Sequence, residues 1–385
     1  MIVVFAGSIG RLPVGGHAWV NLQYLGGLRA LGHDVYYLED CGEGSWVHDW
    51  EQDEERTDLD YPTAYLRACL EPFGFGDRWI YRAGERCAGM PLETFREICA
   101  QADVLLVRAV PVHPWRAEYD LPRRRAFIDV DPGFSQASLL AGDPPLRETV
   151  ERCEHLFTLA QRLGAADCGI PDAGHRWIPT VSPVWLEHWP VADADETSHF
   201  SAILQWRSFE KTHRYGRIGR NGTRYGQKEV EFARFAQLPS KTSQPLRLAL
   251  TGGDPEHLAG CGWDVRSGWR ATRTPADYRR FIADSRAEFG VAKQGYVATR
   301  GGWFSDRSVC YLACGRPVCV QDTGLADWLP VGEGVLGFDD VAGAVDAIDA
   351  INRDYPRHRR AARAIAERYF AADRVLCALL DAATE

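Results

Sequence analysis

The first forty residues limit the fold more than any other stretch. Met1 to Ala6 is a short apolar, β-branched run, which breaks into a glycine-containing loop from Gly7 to Gly16. An amphipathic segment follows from His17 to Leu31, Gly32 and His33 stop it, and Asp34 to Leu38 reads as a second strand. Strand, glycine loop, helix and strand make a βαβ unit, which demands a right-handed crossover and a parallel sheet. Later apolar runs at Val104 to Val107 and Ala126 to Val130 extend that sheet, so the first half reads as one doubly wound α/β domain.

A chain of 385 residues is long enough for two such domains, at roughly 100 to 200 residues each. The α/β rhythm fails where Pro179, Pro183 and Pro190 punctuate the sequence and a polar run begins at Asp193. It then restarts with strands at Ser201 to Gln205, Leu246 to Leu250, Glu288 to Ala292 and Pro317 to Val320. Helices are expected at Gln227 to Gln237, Pro275 to Ser285 and Ser305 to Ala313, and a helical tail from Val341 to Ala382. The expected architecture is α/β: two tandem Rossmann-like doubly wound domains over residues 1–180 and 201–370, a linker over 181–200, and a C-terminal helix over 371–385 that has the first domain as a surface to pack back on.

Charge and cysteine content narrow the function classes. Forty-four Lys and Arg against 53 Asp and Glu give a formal charge of −9, which disfavours a phosphate-backbone partner such as nucleic acid or an anionic membrane. The 11 cysteines lie without Cys-x2-Cys spacing, so they read as reduced packing residues and no metal site is expected. The amino terminus lacks a basic leader, and no apolar run reaches the length of a spanning helix, which places the expected location in the cytoplasm.

In open α/β sheets ligands bind beyond the carboxyl ends of strands. That rule selects the Gly15-Gly16-His17 turn, Arg108 and Asp131 in the first domain, and Arg207, Gly252, Lys293, Thr299 to Ser308 and Gln321 to Gly324 in the second. The segment from Arg300 to Ser308 is the richest. Its paired glycines let a backbone approach a ligand, a helix starting near Ser305 aims free amides at the same place, and Arg300 and Arg307 add charge, a combination suited to a diphosphate. Ordinary turn chemistry and an N-cap at Ser305 explain the same residues without a ligand.

Tyr311-Leu-Ala-Cys-Gly-Arg-Pro-Val-Cys-Val-Gln-Asp-Thr-Gly324 resembles the stretch A-M-A-C-G-x-P-V-V-x-x-x-x-G of GT-B glycosyltransferases, and Arg300-Gly-Gly-Trp-Phe-Ser305 resembles the H-C-G-W-N-S core of their plant-type signature. Gly15-Gly16-His17 matches the amino-terminal pattern of the same superfamily. The resemblance, to family-one and family-four-like enzymes, implies transfer of a hexose-type sugar from a nucleotide diphosphate donor to a small-molecule acceptor such as a natural product. It implies a metal-independent reaction with no cofactor beyond the co-substrate, uridine or thymidine diphosphate being favoured. Gly16, Arg207, Gly252, Lys293, Arg300, Gly302, Ser305, Asp306, Arg307, Asp322, Thr323 and Gly324 then become donor-binding candidates. Arg300 stands where the signature has a phosphate-contacting histidine, and Cys310 stands where a ribose-holding glutamate is usual, with Asp306 one turn earlier as a substitute.

His17 is the candidate base that deprotonates the acceptor, with Asp131 as its orienting carboxylate; capping and an Asp-Pro-Gly turn are the plainer readings of the two. The acidic, aromatic insertion from Gly42 to Tyr61 is a candidate cover for a neutral or cationic acceptor or a solvated face, and the spread of Lys211, His213, Arg214, Arg217, Arg220 and Arg224 is a candidate phosphate loop or a solvated one. Two other functions share the architecture: a GT-B-type sugar-nucleotide epimerase or hydrolase, and a non-catalytic GT-B-like binding protein.

Overall fold

The computed structural model describes residues 1–44, 46–109, 112–193, 199–207, 222 and 225–385. The basic residues Lys211 to Arg220 and Arg224 lie outside them. Two sheets organise the chain. The first is built from β1 (Ile2–Ala6), β2 (Asp34–Asp40), β5 (Trp79–Ala83), β6 (Arg86–Gly89), β7 (Val104–Arg108), β8 (Arg124–Asp129), β9 (His155–Thr158) and β10 (Trp177–Pro179). Their order is β10-β9-β8-β7-β1-β2-β5-β6, parallel throughout except for the β5–β6 hairpin. The second contains β11 (Phe200–Gln205), β12 (Leu246–Thr251), β13 (Asp264–Ser267), β14 (Ala287–Gly290), β15 (Val318–Gln321) and β16 (Val335–Phe338), all parallel in the order β13-β12-β11-β14-β15-β16.

β1 runs as four consecutive buried residues after Ile2, the signature of a strand covered on both faces by crossover helices. The chain leaves β1 toward β2 and later returns to its other side as β7, so the strand order reverses between them. β11 and β14 repeat the arrangement in the second sheet. Those reversals open crevices at the carboxyl ends of the strands, and residues emerging there have the geometry of ligand sites.

The helix Gly15–Ala30 starts two residues earlier than the pattern places it, and the helix Lys228–Phe235 is shorter at both ends. β14 stops at Gly290, two residues short of the expected end: its pairing with β15 ends there, and the Ala292 amide goes to the Gln321 side chain at 3.2 Å. The insertion after Gly42 holds a two-stranded antiparallel hairpin, β3 (Val47–Asp49) and β4 (Glu54–Arg56).

The two halves share a core. Trp19, Leu22 and Leu28 of the first helix belong to one buried cluster with Phe304, Tyr311, Leu376 and Leu380. The terminal helix Ala372–Thr384 lies against Gly15–Ala30, where a Cβ on Gly27 would sit 2.6 Å from the Leu376 side chain and 2.7 Å from Ala372. Trp19 Nε1 donates to the Pro275 carbonyl at 2.7 Å and Gly15 N to that of Thr272 at 2.7 Å, so the amino end of the first helix is fastened to the second half. No described helix is long and apolar enough to cross a membrane.

Candidate active site

The first crevice brings Ser8, His17 and Arg108 together. Ser8 follows β1 and is buried, with Oγ 2.7 Å from His17 Nε2. Arg108 ends β7, is 3% exposed, lies over the Tyr24 ring and reaches Asp306 of the second half at 3.7 Å. Burial, and then the charge of Arg108, push the imidazole down to about 3, so His17 is neutral throughout the physiological range.

Asp131 does not orient His17. Its Oδ1 accepts from Lys293 Nζ at 2.5 Å and from the Tyr296 hydroxyl, placing the carboxylate across the cleft on the second domain's lysine. Burial alone would raise this carboxyl, but Lys293, its hydrogen bond and that of Tyr296 outweigh it and hold the group below the usual range. Lys293 precedes the helix Gln294–Thr299, and its ammonium also faces the Phe134 and Tyr296 rings at 5.0 and 5.4 Å.

Several donor candidates have protein partners instead of open space. Gly16 lies against Tyr278, whose ring would be 2.7 Å from an added Cβ. Gly301 and Gly302 are packed under the first domain's loop around Arg162 and Ile170: a Cβ on Gly301 would meet Ile170 at 2.4 Å, one on Gly302 would meet Arg162 at 2.9 Å, and Arg162 N donates to the Gly301 carbonyl at 3.0 Å. The glycine pair therefore admits a neighbouring domain, where the sequence suggested a ligand. Arg300, in the left-handed region at φ 48°, is half-exposed and divided between Asp167 and Asp322, each at 3.4 Å.

Arg307 is buried, bonding Glu288 at 2.6 Å and the Ile203 carbonyl at 3.0 Å; this ties its helix to the sheet and corrects its reading as a free phosphate contact. Ser305 caps the helix Asp306–Ala313 by accepting from Arg307 N at 3.3 Å. Asp306 accepts from the same amide at 2.8 Å and faces Arg108, so its carboxylate serves the interdomain contact. Asp322 Oδ1 accepts from the amides of Gly324 and Leu325 at 3.0 and 2.9 Å, and the Thr323 hydroxyl donates to the Trp303 carbonyl at 2.6 Å. Gly324, at φ 91°, turns the chain beside Arg162. Arg207, after β11, lies 3.4 Å from Glu229.

Sequence reasoning missed Lys228, in the first turn of the helix Lys228–Phe235. Burial, followed by the charges of Arg307 and Lys293, brings its ammonium down to about 7, and no ion-pair partner of it is present among the described residues. Lys228, Lys293 and the start of the helix Asp306–Ala313 gather beyond the β11–β14 crevice, where buried Glu288 Oε2 and Ser308 Oγ have no hydrogen-bond partner among the described residues, nor has Arg108 Nε on the first domain's side. Such orphaned polar atoms are costly unless something binds them. No group of three or more His, Cys, Asp and Glu side chains converges to hold a metal among the described residues.

A pocket of about 620 Å³ opens nearby between the β3–β4 hairpin, which supplies Trp50 and Glu51, and the ends of β12 and β13, with Gly252, Trp269, Arg270 and Arg273 around it. Arg273 pairs with Glu51 at 3.1 Å and covers the Trp269 ring at 5.1 Å.

Residues 234–378 match a family described as glycosyl transferase-like. No curated protein matches the sequence. Among solved structures, an alpha-glucosyltransferase in complex with UDP and a 13-mer DNA is similar with a TM-score of 0.60 at 10% identity, covering 100% of this chain and 99% of that one. Alr3699/HepE of Anabaena in complex with UDP-glucose gives 0.56 at 13% identity, over 99% of this chain and 100% of that one. Sucrose-phosphate synthase (tll1590) of Thermosynechococcus elongatus gives 0.54 at 14% identity, over 99% and 98%. At these identities the likeness is one of fold.

Proposed function

We propose that this chain, GT-B-like in fold and glycosyl transferase-like over residues 234–378, is a transferase that moves a sugar from a nucleotide diphosphate donor, with uridine or thymidine as the favoured nucleoside, to a small-molecule acceptor. The observation that carries this reading is the placement of Lys228 and Lys293, close enough for one charge to depress the other, beside the start of the helix Asp306–Ala313 at the β11–β14 crevice, a cationic end for a departing diphosphate. The similar alpha-glucosyltransferase and HepE structures, in complex with UDP and UDP-glucose, support the choice of nucleotide.

In the reaction the acceptor oxygen bonds to the sugar's anomeric carbon as the bond from that carbon to the diphosphate oxygen breaks. The acceptor proton passes to the His17 imidazole, and the charge leaving with the diphosphate meets Lys228 and Lys293. Burial, and after it the charge of Arg108, keep the imidazole weakly basic, so a diphosphate arriving near Arg108 strengthens the base by offsetting the second of these causes. The acceptor occupies the pocket roofed by Trp50 and Glu51. Its two arginines are offset by Glu51 and Asp277, a balance that suits a neutral, polar molecule. Arg273, at its wall, adjoins the Thr272 carbonyl that receives the Gly15 amide, so the pocket borders the start of the His17 helix.

The test is an incubation with uridine, thymidine, guanosine and adenosine diphosphate sugars and a library of small acceptors, read by mass spectrometry. A hexose mass gain on a small acceptor supports the proposal. Sugar added only to a 13-mer duplex DNA arm, or donor epimerised or hydrolysed with no acceptor product, overturns it.

A further inference from the structure

Glu39, at the carboxyl end of β2, is 1% exposed and has no cation paired with it among the described residues. Its two oxygens are nevertheless fully engaged. Oε2 accepts from the Gly10 amide at 2.9 Å and from the Tyr37 hydroxyl at 2.7 Å, and Oε1 accepts from the Arg11 amide at 2.6 Å. The Tyr37 oxygen in turn accepts from the Ile9 amide at 2.8 Å. Three consecutive backbone N–H groups thus converge on one buried phenol and carboxylate, the way successive amides surround a bound anion. The residue before them is Ser8, whose hydroxyl meets His17 Nε2.

We propose that Glu39 is a positioning residue: with Tyr37 it clamps the amides of Ile9, Gly10 and Arg11, and thereby fixes the loop from which Ser8 orients the His17 imidazole. This rests on the reading of His17 as the base. Simple loop anchoring would need only one or two of these bonds; here every amide between Ser8 and Leu12 is taken up by the same pair of side chains. Around the carboxylate stand Tyr37 of β2, Cys41 just after that strand, Cys69 of the helix Asp60–Leu70 and the Arg11 side chain of the loop itself. None of the four pairs with it as a counter-ion.

The clamp is complete only when the carboxylate is ionised, because all of its contacts are donors. Burial raises the carboxyl to about 7, while the bonds from Tyr37, Gly10 and Arg11 pull the other way. Protonation turns one acceptor into a donor that faces other donors, which loosens the loop. Ser8 and His17 should therefore respond to pH near 7 although the imidazole itself stays neutral down to about 3.

The experiment follows the His17 ring nitrogens by ¹⁵N NMR from pH 5.5 to 8.5, with the resonance assigned by its loss in His17→Gln, and measures transfer and donor binding over the same range. The wild-type resonance is expected to move with a midpoint near 7 and the turnover rate to fall below it. Glu39→Gln should give a pH-independent resonance and at least about tenfold slower turnover with the acid limb gone, while donor affinity stays within about twofold. Tyr37→Phe, which keeps the carboxylate but removes a bond that lowers it, should retain a titration with its midpoint moved upward and a smaller loss of rate. A Glu39→Gln protein with the wild-type titration of His17 overturns the proposal, as does a Tyr37→Phe protein whose His17 resonance does not titrate if Glu39→Gln does not fold. Absence of transfer with every donor would count against the enzymatic reading, and the resonance would still decide the role of Glu39.

Discussion

Lys293 Nζ lies 2.5 Å from Asp131 Oδ1, so the lysine proposed to receive a diphosphate is held by a carboxylate of the opposite domain. The contact closes the cleft and competes with a ligand for the same charge. Removing the carboxylate while keeping its shape should favour the donor: Asp131→Asn is expected to tighten nucleotide-sugar binding several-fold, and Lys293→Met to weaken it by about tenfold or more. Titration calorimetry on the two variants checks this, and weaker binding by Asp131→Asn would show the pair to be a support of the site and not a latch.

Lys228 carries a pH dependence of definite sign. Its ammonium titrates near 7 in the free protein, and a diphosphate beside it favours the charged form, so binding takes up a proton above that pH. Affinity for a nucleotide sugar, whose diphosphate diester does not itself titrate there, should weaken from pH 7 to 8.5 by up to roughly tenfold per unit. Calorimetry in buffers of different ionisation enthalpy should register the uptake at pH 7.5. Lys228→Met should bind weakly at all pH values with no uptake.

Legibility in the sequence followed the range of the interactions. The strand Ile2–Ala6, the glycine loop and the first helix are fixed by local pattern, and so are β14, β15 and the cap at Ser305, because runs of apolar residues and turn chemistry act over a few positions. β13, with the sequence DVRS, shows no apolar run, since it sits at an edge and is half-buried. Partner choice was not legible. Arg307 finds Glu288, Gly302 finds Arg162 and Asp131 finds Lys293 through folding that joins residues 19 to 162 positions apart, and no spacing rule reports such pairs. Lys228 escaped because a lysine in a first helical turn reads as an exposed side chain, while here it is half-buried within reach of the charges of Arg307 and Lys293, which makes it a candidate.

The Arg108 and His17 pair makes a spectroscopic prediction. If the guanidinium is one cause of the depressed imidazole, Arg108→Gln should raise the His17 titration midpoint from about 3 toward the ordinary value near 6.5, stopping short of it because burial remains the larger cause. An NMR titration of the variant reads this directly. In the same assay His17→Ala should leave donor binding within about twofold and slow transfer by roughly 10² to 10⁴, the usual contribution of a general base. Full activity in His17→Ala would remove the imidazole from the mechanism.

The seam between the first helix and the return of the chain depends on two glycines. A Cβ on Gly26 would lie 2.1 Å from the Trp185 ring, and one on Gly27 would meet Leu376 and Ala372 of the terminal helix. The indole is large and wedged against Phe73 and His188, with ring centroids at 5.9 and 3.8 Å, so it has little room to give. The Leu376 methyl can rotate away, but the Ala372 Cβ moves only with its backbone. Gly26→Ala should therefore cost about 1 to 3 kcal/mol as overpacking, despite the helix propensity it gains, and Gly27→Ala somewhat less. Thermal unfolding of both variants tests the order. Because the helix Gly15–Ala30 also carries His17, Gly26→Ala should slow transfer more than it weakens donor binding.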